Sequence, residues 1–298
     1  MADPDPLAAL AWLVEAGADD ATGDEPVDRF AKKAPLASPF EGEADSFRAQ
    51  RRNESVGGIA QTSPSPPTRS SPAMPPMNSL PLMGGGKEED SIGTAQSLAA
   101  TATSLAELKA ALERFDGCAL KRSAMNTVFA DGNPASRIMF IGEAPGRDED
   151  RMGLPFVGRA GKLLDKMLAA IHLDRSSAYI TNVLNWRPPE NRDPSPEEAA
   201  MCLPFLRRHI ELVDPGIIIL LGAVAARHVM GFSEGIMKLR GRWLEYRVGD
   251  HMVAVMPTLH PAYLLRQPAH KKLVWRDLQA AEQKFISLGL LERKALVR

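Results

Sequence analysis

Cysteine is nearly absent. Cys118 and Cys202 are the two in 298 residues, too few for a disulfide scaffold and in keeping with a reducing, cytoplasmic setting. Long apolar runs are also missing: nothing approaches the eighteen or so consecutive apolar residues of a membrane span. The opening, MADPDPLAALAWLVEAGADD, is acidic with a short apolar stretch, so it does not read as a secretory leader. The chain shows little net charge, −1 overall, but the balance is uneven. Residues 1–100 carry 8 Lys+Arg against 15 Asp+Glu, net −7, and residues 101–298 carry 28 against 22, net +6. A mildly basic body suits a polyanionic partner, and the acidic leader does not.

Three regions follow from the pattern. Residues 1–20 include LAALAWLVEA (7–16), a short amphipathic helix whose apolar face needs cover from the main domain or from a partner. Residues 21–100 read as a disordered, acidic linker, because the Pro/Ser/Gly-rich stretch TSPSPPTRSSPAMPPMNSLPLMGGGKEED buries too little apolar area to offset its chain entropy. Residues 101–298 alternate strands and helices. SLAELKAALERF (104–115) has a Ser N-cap with Glu three positions on, and SPEEAAMCLPFLRRHIELV (195–213) has a capping box at Ser195 and Glu198. Apolar strands are expected at 137–142, 178–184 and 216–222, with further strands in RWLEYRV and MVAVMPTLHP. Helices are expected at 158–173, 223–231 and 271–290. Alternation of this kind implies a mostly parallel sheet covered on both faces, with its ligand site outside the carboxyl ends of the strands. Three segments leave those ends: the turn GEAPG, the loop that begins at Asn182, and TLHPAYLLR.

The first of these, GEAPGRDEDRMGLPFVGRAG (142–161), resembles a phosphate loop by its glycines but carries Glu143, Asp148, Glu149 and Asp150, which repel phosphate. Taken with YITNVLNWRPPENRDPSPEE and LHPAYLLR, it resembles the uracil-DNA glycosylase superfamily, most closely its family 4 enzymes, over roughly residues 101–290. The resemblance implies an α/β/α sandwich around a four-stranded, mostly parallel sheet. It also implies a monofunctional DNA repair enzyme that flips uracil out of DNA and hydrolyses its glycosidic bond, releasing uracil and leaving an abasic site.

Site residues follow from the same motifs. Gly142 and Ala144 are expected at the uracil pocket that the resemblance implies. Phe156 alone reads as core, and in its motif matches the residue that stacks on uracil. Asn182 alone reads as a turn former, and in its motif matches the amide that pairs with the O4/N3 edge, a pairing that cytosine does not satisfy. His260 matches the donor to uracil O2, where negative charge develops as the bond breaks. Glu143 is expected to stabilise the cationic sugar or position water, with Glu149 the second candidate. Asp148 and Asp150 read as solvated or loop-capping. PAYLLR resembles a loop that enters the minor groove, with Leu264 and Leu265 as wedges and Arg266 reaching a phosphate. Arg187, Arg192, Lys271 and Lys272 are backbone-contact candidates that read equally well as surface charges.

The chain departs in one respect from the family it resembles. Family 4 enzymes carry four cysteines that hold an iron–sulfur cluster. Here Phe115 and Trp186 stand at two of those positions, leaving Cys118 and Cys202, and a cluster needs about four thiolates. The expectation is therefore no metal and no cofactor, with the two aromatics filling the vacated space. Covalent uracil trapping is discounted because RRHI (207–210) falls inside the expected helix 195–213. A monomer is expected, acting on uracil-containing DNA and binding no membrane, with the N-terminal region free to bind an unknown partner. The rival reading is a non-catalytic DNA-binding module of the same fold. A phosphate-binding α/β protein is disfavoured by the acid-rich turn.

Overall fold

Every residue of IMFIG, YITN and IIILL is buried, so these runs form the centre of the sheet as β2 (Ile138–Gly142), β3 (Tyr179–Asn182) and β4 (Ile217–Leu221). The computed structural model describes residues 86–292, all within one compact unit. Before β2 come helices α1 (Gly86–Thr101), α2 (Leu105–Arg114) and α3 (Leu120–Ser123), then the short strand β1 (Ala130–Gly132). Helices α4 (Arg147–Met152) and α5 (Arg159–Ala169) connect β2 to β3, and α6 (Pro196–Val213) connects β3 to β4. After β4 the chain forms α7 (Ala223–Met230), α8 (Ile236–Leu239), β5 (Leu244–Val248), β6 (His251–Thr258), α9 (Pro261–Arg266) and α10 (Lys271–Ser287).

The sheet has six strands in the order β1-β3-β2-β4-β6-β5, where four were expected. Its centre, β3-β2-β4-β6, is the expected parallel four. The additional two, β1 and β5, are antiparallel edges. From β2 the chain crosses to β3 on one side and later to β4 on the other, the strand reversal that opens a crevice at the carboxyl ends.

Alternation along the strands divides the core into two layers. Met139, Ile141, Ile218 and Leu220 face α1, α2, α6 and α7, against Ala95, Leu108, Leu206, Ile210 and Ala225. Ile138, Phe140, Ile217 and Ile219 face α5 and α10, against Leu164, Met167, Val274 and Leu278. The three-layer sandwich is the expected one. The caps are also as expected: Ser104 Oγ accepts the Glu107 N–H at 3.2 Å, and Ser195 exchanges hydrogen bonds with Glu198. The linker, expected to run to residue 100, is corrected by α1, which packs its small residues Ala95 and Ala99 into the core. The helix expected at 7–16 lies outside the described residues, as does the linker before residue 86.

Candidate active site

The three segments expected at the carboxyl ends meet around one cavity of about 400 Å³. Glu143, Ala144, Pro145 and Gly146 follow β2, Asn182 ends β3, and His260 follows β6; Glu149, Phe156, Asp193 and Arg266 complete the principal lining. In the parallel register Gly142 lies opposite Asn182. A Cβ at Gly142 would stand 2.4 Å from both Asn182 Oδ1 and the Phe156 ring. The missing side chain at 142 is what lets an amide and an aromatic face converge there.

Asn182 is 2% exposed, and its Oδ1 accepts no hydrogen bond within the protein. A buried acceptor left open costs about 1–3 kcal/mol, which an N–H supplied by a ligand would recover. Phe156 forms the neighbouring wall, its ring centroid 5.6 Å from that of His260. Its backbone has φ of 54°, a left-handed conformation that is an outlier for a bulky residue and marks local strain.

His260 caps α9, with Nδ1 accepting the Ala262 N–H at 3.1 Å. That bond places the proton of the neutral ring on Nε2. Burial, reinforced by the Arg266 charge, pushes the pKa of His260 down to about 4, so the ring is a neutral donor near pH 7. Glu143 moves the opposite way, to about 7. Burial raises it first and the Asp193 charge second, with partial offset from Arg266 and Arg227. A carboxyl tuned close to neutrality in a cleft is suited to proton transfer.

Glu149, expected as the second catalytic candidate, lines the cavity with its carboxylate engaged by the backbone. Its carboxylate is buried and accepts three backbone N–H groups: Gly146 at 3.1 Å, Val157 at 3.0 Å and Gly158 at 2.8 Å. It ties the turn after β2 to the Phe156 loop. Asp150 is loop-capping, accepting the Met125 and Asn126 N–H groups at 2.8 and 3.2 Å. Asp148 lies 4.0 Å from Arg151 in a partly exposed pair.

The segment expected to enter the minor groove is a short helix, α9, whose adjacent residues point in different directions. Leu264 is 0% exposed and belongs to the core beside α5 and α10, so it is not available as a wedge. Leu265 is 37% exposed, and Arg266 is exposed on the cavity rim. Lys271 is 3% exposed, which rules out the expected phosphate contact, whereas Lys272 is exposed. Arg187 donates to Asn191 Oδ1 at 2.7 Å, and Arg192 grips the Glu198 carboxylate at 2.8 and 2.6 Å. Both arginines brace the loop that carries Asp193. Asp193 escaped the sequence reading because one acid in a polar loop has no periodic or motif signal.

Behind β3 the residues expected to stand at iron–sulfur positions lie in the buried core. Cys118 and Cys202 are buried. Their hydrogen bond holds Cys118 below, and Cys202 above, the ordinary thiol range. Phe115 and Trp186 are buried; the Phe115 and Phe205 ring centroids are 5.3 Å apart, and Trp186 Nε1 donates to Thr127 Oγ1 at 3.0 Å. Two buried thiols in an apolar core cluster do not supply the ligands of a four-thiolate cluster. Among the described residues no group of three or more His, Cys, Asp or Glu side chains is placed to hold a metal ion. No described helix is long and apolar enough to cross a membrane.

The sequence also matches known proteins. A family model described as the uracil DNA glycosylase superfamily matches residues 129–279. The Type-4 uracil-DNA glycosylase of Thermotoga maritima is 41% identical over 174 residues, covering 57% of this chain and 89% of that relative. The protein of the same name from Archaeoglobus fulgidus is 44% identical over 155 residues, covering 51% and 78%. That from Sulfurisphaera tokodaii is 39% identical over 181 residues, covering 59% and 82%.

Proposed function

This chain belongs to the uracil DNA glycosylase superfamily, and we propose that it excises uracil from DNA with the cavity residues in the roles that follow. The observation that carries this reading is the buried, unpartnered Oδ1 of Asn182. An enzyme that works on a base takes it out of the stack and reads its Watson–Crick edge. Uracil supplies an N3–H to Oδ1 and an O4 acceptor to the amide NH₂. Cytosine offers a lone pair and an amino group instead, which sets acceptor against acceptor and donor against donor. Phe156 supplies the stacking face.

Chemistry then follows from the two shifted groups. The C1′–N1 bond breaks with its electron pair moving into the pyrimidine, and the neutral His260 donates from Nε2 to O2, where that charge gathers. The deoxyribose becomes cationic. Ionised Glu143 stabilises it and takes a proton from the water that adds at C1′. The uracil anion takes up a proton from solvent, Glu143 gives its proton back to solvent, and the products are free uracil and an abasic site. Glu149 has no part in these steps because its oxygens are held by backbone N–H groups.

We propose further that the reaction runs without an iron–sulfur cluster, given the aromatic packing around Cys118 and Cys202. Leu265 and Arg266 are assigned to the DNA strand, Leu265 as the wedge. The test is incubation with a uracil-containing oligonucleotide followed by alkali. Scission at uracil is expected, with no visible absorbance from the purified protein. A gel shift without scission favours the binding-module reading, and a coloured, iron-containing protein overturns the cluster-free one.

A further inference from the structure

Phe156 has to be held, because an aromatic residue at φ of 54° does not stay there by its own preference. The peptide that follows it is tied at both ends. On one side the Val157 N–H donates to Glu149 at 3.0 Å, with the Gly158 N–H beside it at 2.8 Å. On the other side the Phe156 carbonyl accepts from Arg175 Nη2, and Nη1 of the same guanidinium reaches the Pro155 carbonyl at 3.2 Å. Helix α5 leaves space for this arrangement: a Cβ at Gly161 would stand 1.7 Å from the Phe156 oxygen.

Arg175 is itself fixed by two carboxylates. Its Nη1 lies 2.5 Å from Asp131 on β1, and its Nε lies 2.8 Å from Asp165 on α5. The guanidinium therefore spans the sheet edge, a helix and the pocket loop, while the cavity lining does not include it. We propose that Arg175 is a positioning residue for base recognition: it locks the Phe156 backbone in its strained conformation and so sets the stacking wall. The inference rests on the pocket reading given above. A planar fork with donors in several directions is required, and a lysine point charge satisfies the carboxylates without reaching both carbonyls.

The experiment is a double-mutant cycle. Arg175→Met, Phe156→Ala and their combination are compared by single-turnover cleavage of a uracil oligonucleotide and by thermal melting. Arg175→Met is expected to slow cleavage on the order of 10-fold to 100-fold, the scale of a small misplacement of a reacting partner. The combined variant is expected to cleave within about 2-fold of Phe156→Ala alone, since the arginine acts through that ring. Asp165→Asn removes one ion pair but leaves the carbonyl bonds, and is expected to cleave within about 2-fold of wild type.

Multiplicative losses in the cycle, against an active wild type, overturn the proposal. An inactive wild type overturns the glycosylase reading instead. A crystal structure of Arg175→Met decides the conformational claim regardless of activity: Phe156 is expected to leave the left-handed region, and an unchanged Phe156 refutes the lock. If the methionine variant does not fold, Arg175→Lys takes its place in the same cycle and structure.

Discussion

Two regions flank β3, and they are built on opposite principles. At its carboxyl end the cavity holds an unpartnered amide oxygen, a left-handed phenylalanine, a carboxyl with a pKa near 7 and a histidine with one near 4. Beside it, around Cys118 and Trp186, aromatic rings pack and the indole N–H and both thiols have partners. The first region leaves a buried acceptor open and a backbone strained, while the second satisfies its own polar groups. The contrast favours the proposed chemistry at the cavity and a packing role for the block, although the family resemblance alone points to chemistry in both.

The largest test of that contrast removes one side chain from each region. Asn182→Ala is expected to slow uracil cleavage by about 10²–10³-fold, the scale seen when a preorganised donor or acceptor is deleted. Its melting temperature should hold or rise, because an unsatisfied buried acceptor is gone. Trp186→Ala should do the reverse: it costs about 3–5 kcal/mol of stability through the cavity it leaves, while cleavage per folded molecule stays near wild type. Single-turnover rates and denaturant melts on both variants check the pair. A Trp186 variant that is well folded but inactive would show that the packed block has chemistry of its own.

Glu143 sharpens the comparison through pH. Its folded pKa of about 7 lies above the 4.5 of an ordinary glutamate, so the folded state holds a proton that the unfolded state releases. Its contribution to stability is therefore complete below about pH 4.5 and is lost as pH rises through 7. Glu143→Gln should melt close to wild type at pH 4.5 and a few degrees higher at pH 8. Activity has the opposite sign, since the ionised form is the working one. Wild-type cleavage should fall as pH drops through about 7, and the glutamine variant should be slower by about 10²-fold with that limb flattened. His260, at about 4, adds no limb in this range. A wild-type rate that is flat from pH 6 to 8 would remove Glu143 from the reaction.

Much of this was legible in the sequence, for a physical reason. Strands β2, β3 and β4 are buried on both faces and therefore appear as unbroken apolar runs, and the caps at Ser104 and Ser195 have local signatures. Gly142, Phe156, Asn182 and His260 stand out through the motifs that carry the family resemblance, and the fold brings them around one cavity. Other features depend on contacts that are distant in sequence. Helix α1 enters the core through Ala95 and Ala99, which give little amphipathic signal next to a Gly-rich stretch. Strand β1 is the three residues ADG, aligned by β3 rather than by its own pattern. The partners of Glu149 are backbone groups in two loops, so its carboxylate reads from sequence as a free acid. Arg175 is one cation in a polar loop, and its role exists only once Phe156 adopts its strained backbone.

The smallest expected effect separates two adjacent leucines. Residues 264 and 265 lie about 100° apart around α9, and one is core while the other is exposed to solvent. Leu265→Ala should slow cleavage of duplex uracil-DNA by several-fold and leave single-stranded substrate unaffected, because a wedge matters only where a stack has to be opened. Leu264→Ala should cost about 2–5 kcal/mol of stability and leave the duplex-to-single-strand ratio unchanged. Measuring that ratio for both variants distinguishes a wedge from a core residue even if the absolute rates fall together. If the ratio moves for Leu264 and not for Leu265, α9 must turn over on binding DNA, and the division between core and pocket would no longer hold for this helix.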